Sequence, residues 1–132
     1  MKVIIAGSRS IEDMCIIERA VDVAMKFWDT HVSDIAEVVS GGATGVDELG
    51  ECFATENNIP VRQFLPYWKK YGKAAGIIRN NKMADYADRL IAVWDGESKG
   101  TKHMISAMQC LNKEVVIHQE IGRRQGVPIE NV

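Results

Sequence analysis

The chain has 132 residues, of which 46% are hydrophobic and 26% charged, and its formal net charge is −2. These values are typical of one globular domain with its own core, over residues 1–132, and the slight acidity argues against a general nucleic-acid-binding surface. No apolar stretch approaches the about 20 residues that cross a membrane, and the N-terminus lacks the pattern of a secretory signal.

The first part of the chain alternates apolar runs with segments of helical periodicity. Residues 2–7, KVIIAG, form a continuous apolar run that is typical of a strand buried on both faces. Ser10 is the predicted cap of the following helix, with Asp13 completing a weak capping box. Apolar residues then recur every three or four positions from Met14 to Trp28. Residues 35–40 predict a second strand, and residues 46–54 predict a helix that ends at NNIP.

The second part of the chain continues the same alternation. The predicted strands are 61–66, 89–94 and 114–118, the predicted helices are 74–87 and 101–112, and the predicted loops are 67–73 and 95–100. Residues 119–132 have no strong periodicity and are expected to form a peripheral tail.

Five alternations of strand and helix predict an α/β fold. Such a pattern requires parallel pairing with right-handed crossovers and helices on both faces of the sheet. We therefore expect a Rossmann-like three-layer α/β/α sandwich with a mainly parallel sheet of about five strands. Ligands of such sheets bind at the carboxyl ends of the strands.

Three loops at predicted strand ends are rich in Gly, Ser and Thr: GSRS (7–10), SGGATG (40–45) and DGESKGT (95–101). Each leads into a helix N-terminus, whose unpaired N–H groups attract anions, and glycine allows a phosphate to approach the backbone. A tight turn alone would also explain the glycines at any one of these positions. The candidate ligand-binding residues in these loops are Gly7, Ser8, Arg9, Ser40, Gly41, Gly42, Ala43, Thr44, Gly45, Gly100 and Thr101.

Residues 57–84 contain no acid, and they carry the cations Arg62, Lys69, Lys70, Lys73, Arg79 and Lys82. This run is either a solvated face or an anion site, and the neighbouring loops favour the anion site. Within it, Arg79 and Lys73 are the candidates for neutralising a phosphate. Trp68 or Tyr71 would either stack on a base or anchor the loop to the body of the protein.

The acids near the loops also have two interpretations. Asp47 would accept from a ribose hydroxyl or favour the N-terminus of its helix electrostatically, and Asp95 has the same ambiguity. If the protein is an enzyme, the candidates for the acting carboxylate are Asp47, Asp95 and Glu97.

Cysteine and histidine usage points to neither a disulfide framework nor a metal site. Three cysteines are scattered without C-x-x-C spacing, which favours small apolar roles in a reduced cytoplasm. The three histidines are equally dispersed. We expect no metal, no cofactor and a cytoplasmic location. The apolar helix stripes serve a core or a homo-oligomer interface, and the sequence does not separate these two.

Four segments carry a family resemblance: AGSRS (6–10), VVSGGATGVDELG (38–50), AAGIIRNNKMADYADRLIAVWDGESKGT (74–101) and KHMI (102–105). In these segments the chain resembles the SLOG superfamily, and in particular the small stand-alone YspA-like branch of bacteria and phages. The resemblance spans about residues 2–118 and implies a Rossmann-like domain that binds a nucleotide-derived ligand. Relatives include the LOG phosphoribohydrolases and the DNA-processing protein DprA. The implied alternatives are therefore a sensor or sequestering module, a nucleotide N-glycosidic hydrolase and, third, a protein that binds single-stranded DNA.

The LOG comparison can be made residue by residue. Arg79, followed by Asn80 in RNNKM, is similar to an arginine of those enzymes, and Gly100 and Thr101 match the G-T of their P-G-G-x-G-T-x-x-E loop. The position of the final Glu is Met104 here, and ESK replaces P-G-G. Because methionine cannot transfer a proton, LOG-like hydrolysis lacks its expected carboxyl group.

Overall fold

A computed structural model describes residues 1–120 of the chain; residues 121–132, most of the predicted tail, lie outside the described residues. The strands are β1 (Lys2–Gly7), β2 (Glu37–Ser40), β3 (Val61–Gln63), β4 (Arg89–Trp94) and β5 (Glu114–Gln119). The helices are α1 (Met14–Phe27), α2 (Val46–Glu56), α3 (Trp68–Tyr71), α4 (Ala75–Tyr86) and α5 (Lys99–Cys110), with 3-10 turns at Val32–Asp34 and Gly72–Ala74.

The five strands form one sheet in the order β3-β2-β1-β4-β5, and all four neighbouring pairs are parallel. The predicted parallel α/β fold is therefore confirmed. Chain order runs outward from β1 to β3 on one side and from β4 to β5 on the other. The strand order therefore reverses between β1 and β4, where the crevice of an open parallel sheet lies at the carboxyl ends of the strands.

Alternate residues of β1 enter two separate cores, one on each face of the sheet. Val3 and Ile5 pack in the cluster that contains Ile17 of α1 and Phe53 of α2. The residues between them, such as Ile4, pack in a cluster with side chains of α4 and α5. Because both faces of the sheet are covered by helices, the arrangement is the predicted Rossmann-like three-layer sandwich.

Two local predictions at helix starts and loops are wrong. The N-cap of α1 is Asp13, whose side chain accepts a hydrogen bond of 2.9 Å from the Cys15 amide, so the cap lies three residues beyond Ser10. Residues 67–73, expected as a loop, contain α3 and the start of a 3-10 turn. The amide of Tyr71 donates to the carbonyl of Tyr67 at 3.0 Å, as in a helix. The lysine-rich composition of this segment had favoured a loop.

Smaller differences concern β3 and the cysteines. β3 ends at Gln63, three residues earlier than expected, because its partner β2 ends at Ser40. Cys15, Cys52 and Cys110 are free and exposed, so the expected small apolar roles are wrong. None of the helices in the described part of the chain combines the length and apolarity needed to cross a membrane.

Candidate ligand-binding site

A cavity of about 450 Å³ opens at the carboxyl ends of the central strands. It is bordered by the loops that follow β1, β2 and β4 and by side chains of α4 and α5. The predicted site residues that line it are Gly7, Arg9, Gly41, Ala43, Asp47, Arg79, Asn80, Asp95, Gly100 and Thr101. We refer to it as the central cavity.

The remaining predicted site residues lie outside the lining of the central cavity: Ser8, Ser40, Gly42, Thr44, Gly45, Trp68, Lys73 and Glu97. The two serines among them make hydrogen bonds that hold the loops in place. The buried hydroxyl of Ser8 accepts a 3.0 Å hydrogen bond from the Asp95 amide, and the buried hydroxyl of Ser40 donates to Glu51 at 2.6 Å. These two serines therefore fix the loops that border the cavity.

Arg79, from α4, reaches across the cavity to the loop after β2. Its Nη1 donates to the carbonyl oxygen of Gly41 at 2.6 Å, and its Nε donates to Oδ1 of Asn80 at 2.9 Å. Burial lowers the pKa of Arg79 from its usual value; the nearby charge of Asp47 opposes this effect, and that of Arg9 adds to it. The guanidinium stays charged at neutral pH. Arg79 and Arg9 therefore present two like charges to one cavity.

Asn80 holds Arg79 and the start of α5 together. Besides accepting from Arg79, its Nδ2 lies 3.3 Å from the carbonyl oxygen of Gly100, to which it donates, and 3.2 Å from Nδ1 of His103. The side chain is buried, so these partners satisfy groups that water does not reach. The orientation of Arg79 is thereby set by a neighbour in sequence and, through it, by α5.

Gly41 and Gly45 both have a role in the packing of the protein itself. A Cβ on Gly41 would lie 2.5 Å from Nη1 of Arg79 and 2.9 Å from Oδ2 of Asp47. Gly45 has a φ of 75°, and a Cβ there would lie 2.5 Å from Cα of Arg9. The first glycine makes room for two charged side chains, and the second allows two loops to touch.

Asp47 is the buried acid of the site, with a relative exposure of 6%. Its Oδ2 accepts a 3.2 Å hydrogen bond from the Ala43 amide. Burial raises the pKa of Asp47, and this effect outweighs the lowering by the Ala43 bond and by the charge of Arg79. A carboxyl group in such surroundings holds its proton to higher pH than an ordinary aspartate does.

Asp95 has the opposite character. Its Oδ1 accepts hydrogen bonds of 2.8 Å from the amides of Ser98 and Glu97, in the loop that precedes α5. These bonds lower the pKa of Asp95, so this carboxylate is ionised at neutral pH. These two hydrogen bonds are sufficient to explain why an acid follows β4, and no ligand is needed to explain it.

The loop amides that were expected to hold phosphates are partly used within the protein. The amide of Gly42 donates to the hydroxyl of Ser40 at 3.1 Å, and the amide of Ala43 donates to Asp47. Two further amides, after β4, donate to Asp95. An anion in the central cavity would therefore depend on the two arginines more than on these four N–H groups.

Five lining residues were not among the predicted site residues: Ala6, Ser10, Met83, Ser98 and Met104. Ser98 belongs to the DGESKGT loop, and its hydroxyl lies 3.2 Å from that of Thr101, so the loop composition held the necessary signal. Met83 follows Arg79 by one helical turn, and this spacing could have predicted that it lines the same cavity. Met104 occupies the position of the LOG glutamate and is buried at the cavity wall.

Two of the cations of residues 57–84 have different surroundings. Arg79 lines the central cavity, whereas the guanidinium of Arg62 lies over the rings of Phe64 and Tyr86, 5.5 and 5.4 Å from their centroids. Within residues 1–120, no group of three or more His, Cys, Asp or Glu side chains is placed to hold a metal ion.

Comparison with known proteins gives two matches. A family model described as "YspA, cpYpsA-related SLOG family" matches residues 1–71, which is just over half of the chain. The Gene 61 protein of Mycobacterium phage D29 is 28% identical over 120 residues, and the alignment covers 82% of this chain and 88% of the phage protein. No solved structure matches.

Proposed function

The chain belongs to the YspA, cpYpsA-related SLOG family, and from this premise we propose that it binds a nucleotide or a nucleotide-derived phosphorylated ligand in the central cavity, as a sensor or sequestering module. One observation carries the proposal. Arg9 and Arg79 both line a cavity at the point where strand order reverses, and the charge of one lowers the pKa of the other. An anion between two like charges removes their repulsion and gains charge-assisted hydrogen bonds.

Asp47 complements the arginines for a ligand that carries both a phosphate and a sugar. Its carboxyl group lines the same cavity and retains acceptor capacity besides the bond from Ala43. Ribose hydroxyls donate to carboxylates, as in dinucleotide sites. Cations and a hydrogen-bond acceptor in one cleft favour a nucleotide over a simple inorganic anion.

The first experiment identifies co-purified small molecules by mass spectrometry after native purification and denaturation, followed by calorimetry with nucleoside monophosphates, dinucleotides and ADP-ribose. Arg79→Ala is expected to lose the bound molecule and to weaken binding about tenfold or more, because a charged hydrogen-bonding partner is removed. Arg19→Ala, on the exposed side of α1, is the matched control and retains binding. Absence of any ligand that binds tighter than millimolar contradicts the proposal.

A second candidate function is cleavage of an N-glycosidic bond, with Asp47 as general acid. The observation that favours it is the raised pKa of a buried carboxyl group in the cavity wall, since a general acid must hold its proton near working pH. Asp95 is ionised and engaged with two amides, and Glu97 lies outside the cavity lining. Asp47 is therefore the strongest of the three carboxylate candidates.

Turnover is tested by following the release of free base from a panel of nucleotides by chromatography. Asp47→Asn is expected to abolish release while retaining binding, because the amide keeps its hydrogen-bonding capacity but cannot donate the proton. Asp95→Asn is the matched control. No base released from any nucleotide of the panel rules this function out and leaves the binding proposal in place.

A further inference from the structure

A second cavity, of about 220 Å³, shares Arg79 with the central cavity. Its wall is different in kind, since it contains three aromatic rings, Phe64, Tyr67 and Tyr71, together with the cation of Lys82. We call it the aromatic cavity. It lies between the segment after β3 and the stretch that runs from α3 into α4.

The wall of the aromatic cavity is built by two pairs of residues, Tyr67 with Tyr71 and Ala75 with Arg79. Tyr67 is the N-cap of α3 and Tyr71 its last residue, and the Tyr71 amide donates a 3.0 Å hydrogen bond to the Tyr67 carbonyl. Ala75 and Arg79 lie four residues apart in α4 and therefore share one face of that helix. The side chain of Ala75 is only a methyl group, which leaves room between the tyrosines and the guanidinium.

The aromatic rings of this cavity differ in how far other side chains of the protein already pack against them. Phe64 packs against Tyr86, with 5.3 Å between ring centroids. The ammonium group of Lys70 lies over the ring of Tyr71, 5.1 Å from its centroid. Tyr67, in contrast, is 65% exposed. An exposed aromatic ring that lines a cavity offers a flat face for stacking, which is sequence-tolerant because every nucleobase has a π-face.

From this arrangement we infer that the aromatic cavity is a subsite for the nucleobase, so that the ligand lies across Arg79 with its anionic group in the central cavity and its base against Tyr67. This inference rests on the proposed function and adds the position of the base to it. The guanidinium is held by Gly41 and Asn80 at the shared wall, where the phosphate of such a ligand would meet it. Trp68, the exposed aromatic residue next to Tyr67, lines neither cavity.

The test compares ribose 5-phosphate with the four common nucleoside 5′-monophosphates by calorimetry. The probes share sugar and phosphate and differ only in the presence and type of base. We expect at least one nucleotide to bind more tightly than ribose 5-phosphate. Tyr67→Ala is expected to weaken that nucleotide about five- to 150-fold, as loss of one stacked base does, and to leave ribose 5-phosphate unchanged. Tyr67→Phe keeps the ring and is expected to keep the affinity.

Matched variants separate the outcomes. Phe27→Ala removes an exposed ring from α1, on the other face of the sheet, and leaves all affinities unchanged. If nucleotides bind and Arg79→Ala weakens them while Tyr67→Ala does not, or if Trp68→Ala is the damaging change, the base subsite is refuted and the proposed function stands. If none of these probes binds, the base subsite is refuted, and the dinucleotides and ADP-ribose of the first experiment decide the proposed function. Circular dichroism verifies that each variant is folded. If Tyr67→Ala does not fold, Tyr67→Leu decides the question, because leucine keeps the bulk of the side chain but has no π-face.

Discussion

The carbonyl oxygen of Gly41 accepts a 2.6 Å hydrogen bond from Nη1 of Arg79, although 38 residues separate the two in the chain. The bond joins the loop after β2 to the middle of α4. It also explains the glycine, since a side chain at position 41 would occupy the space of the guanidinium. The glycine-rich loop and the arginine therefore form one structural unit.

Gly41→Ala tests this unit directly. The φ of Gly41 lies outside the left-handed region, so alanine causes no backbone strain there. Its Cβ would lie 2.5 Å from Nη1 of Arg79, and the flexible arginine is expected to move away. We expect ligand affinity to fall about tenfold, as for loss of a charge-assisted hydrogen bond, with a change in unfolding free energy below about 1 kcal/mol.

Gly76→Ala is the control for Gly41→Ala. The nearest atom to a Cβ at Gly76 is in Trp68 at 3.8 Å, an ordinary contact, and the residue lies in α4. Alanine is expected to stabilise the protein by about 0.5–1 kcal/mol through helix propensity and to leave affinity unchanged. Wild-type affinity in Gly41→Ala would show that the hydrogen bond between Gly41 and Arg79 is not needed for ligand binding.

Gly45 and Gly72 form a pair that separates backbone strain from steric clash. Their backbone angles are similar, with φ 75° and ψ −128° at Gly45 and φ 55° and ψ −133° at Gly72. A Cβ at Gly72 meets nothing within 4 Å, whereas one at Gly45 meets backbone atoms of Ser8 and Arg9 at 2.5–2.6 Å. Gly72→Ala should therefore cost about 1–3 kcal/mol from strain alone.

Gly45→Ala should cost more than Gly72→Ala, because rigid backbone cannot move aside as a side chain can. Urea denaturation of both variants measures the two free energies of unfolding. Gly45→Ala is also expected to weaken ligand binding, since it displaces Arg9. Equal losses of stability in the two variants would show that the contact between the two loops contributes nothing.

Asp47 is expected to make the protein less stable as pH rises. Its pKa is raised in the folded state. Below the ordinary value of 3.8 the carboxyl group is protonated in both the folded and the unfolded chain, and it does not change the free energy of unfolding. Above that value the unfolded chain ionises first, and the free energy of unfolding falls until the folded-state pKa is passed. Asp47→Asn has no ionisable group at this position, so its free energy of unfolding should exceed that of the wild type near neutral pH. The difference in stability should vanish at acid pH. Urea denaturation over a pH series measures it, and a variant that is less stable at every pH would contradict this sign.

Asp95 is expected to behave in the opposite way. Its pKa is lowered by the two amides, so its stabilising effect is present above the ordinary value of 3.8 and is lost as pH falls through the folded-state pKa. Asp95→Ala should cost about 0.5–2 kcal/mol at neutral pH, because the two amides of the loop lose a hydrogen-bond acceptor. Asp95→Asn keeps an acceptor and should cost less. Thermal unfolding at neutral and acid pH distinguishes them, and an Asp95→Ala loss that is independent of pH would point to packing instead.

Most of the fold could be predicted from sequence because strands buried on both faces carry their signal locally. The apolar runs of β1 and β4 and the alternation with helices were sufficient for a parallel sheet. The start of α1 was misplaced because two residues, Ser10 and Asp13, are both good caps, and only the structure shows which amide is available. α3 was missed because a helix of four residues, two of them lysines, is too short to show an apolar periodicity.

The site could be predicted less completely. The convergence of three loops follows from parallel strands, whose carboxyl ends share one edge of the sheet. The partners of the loop amides do not follow, since Asp47 and Asp95 turn back onto their own loops and accept from amides that were expected to face a ligand. The partner of Arg79 is equally absent from the local sequence, because a contact across 38 residues leaves no periodic pattern.

The position of Arg79 in the walls of both cavities has a thermodynamic consequence. A molecule that occupies one cavity and shifts or neutralises this guanidinium changes the affinity of the other cavity for its own occupant. Linkage requires the effect to be reciprocal and equal in size in both directions. Two separate occupants of the cavities would therefore be coupled through a single side chain. The coupling would be positive if the first occupant left the positive charge of Arg79 available to the second, and negative if it did not.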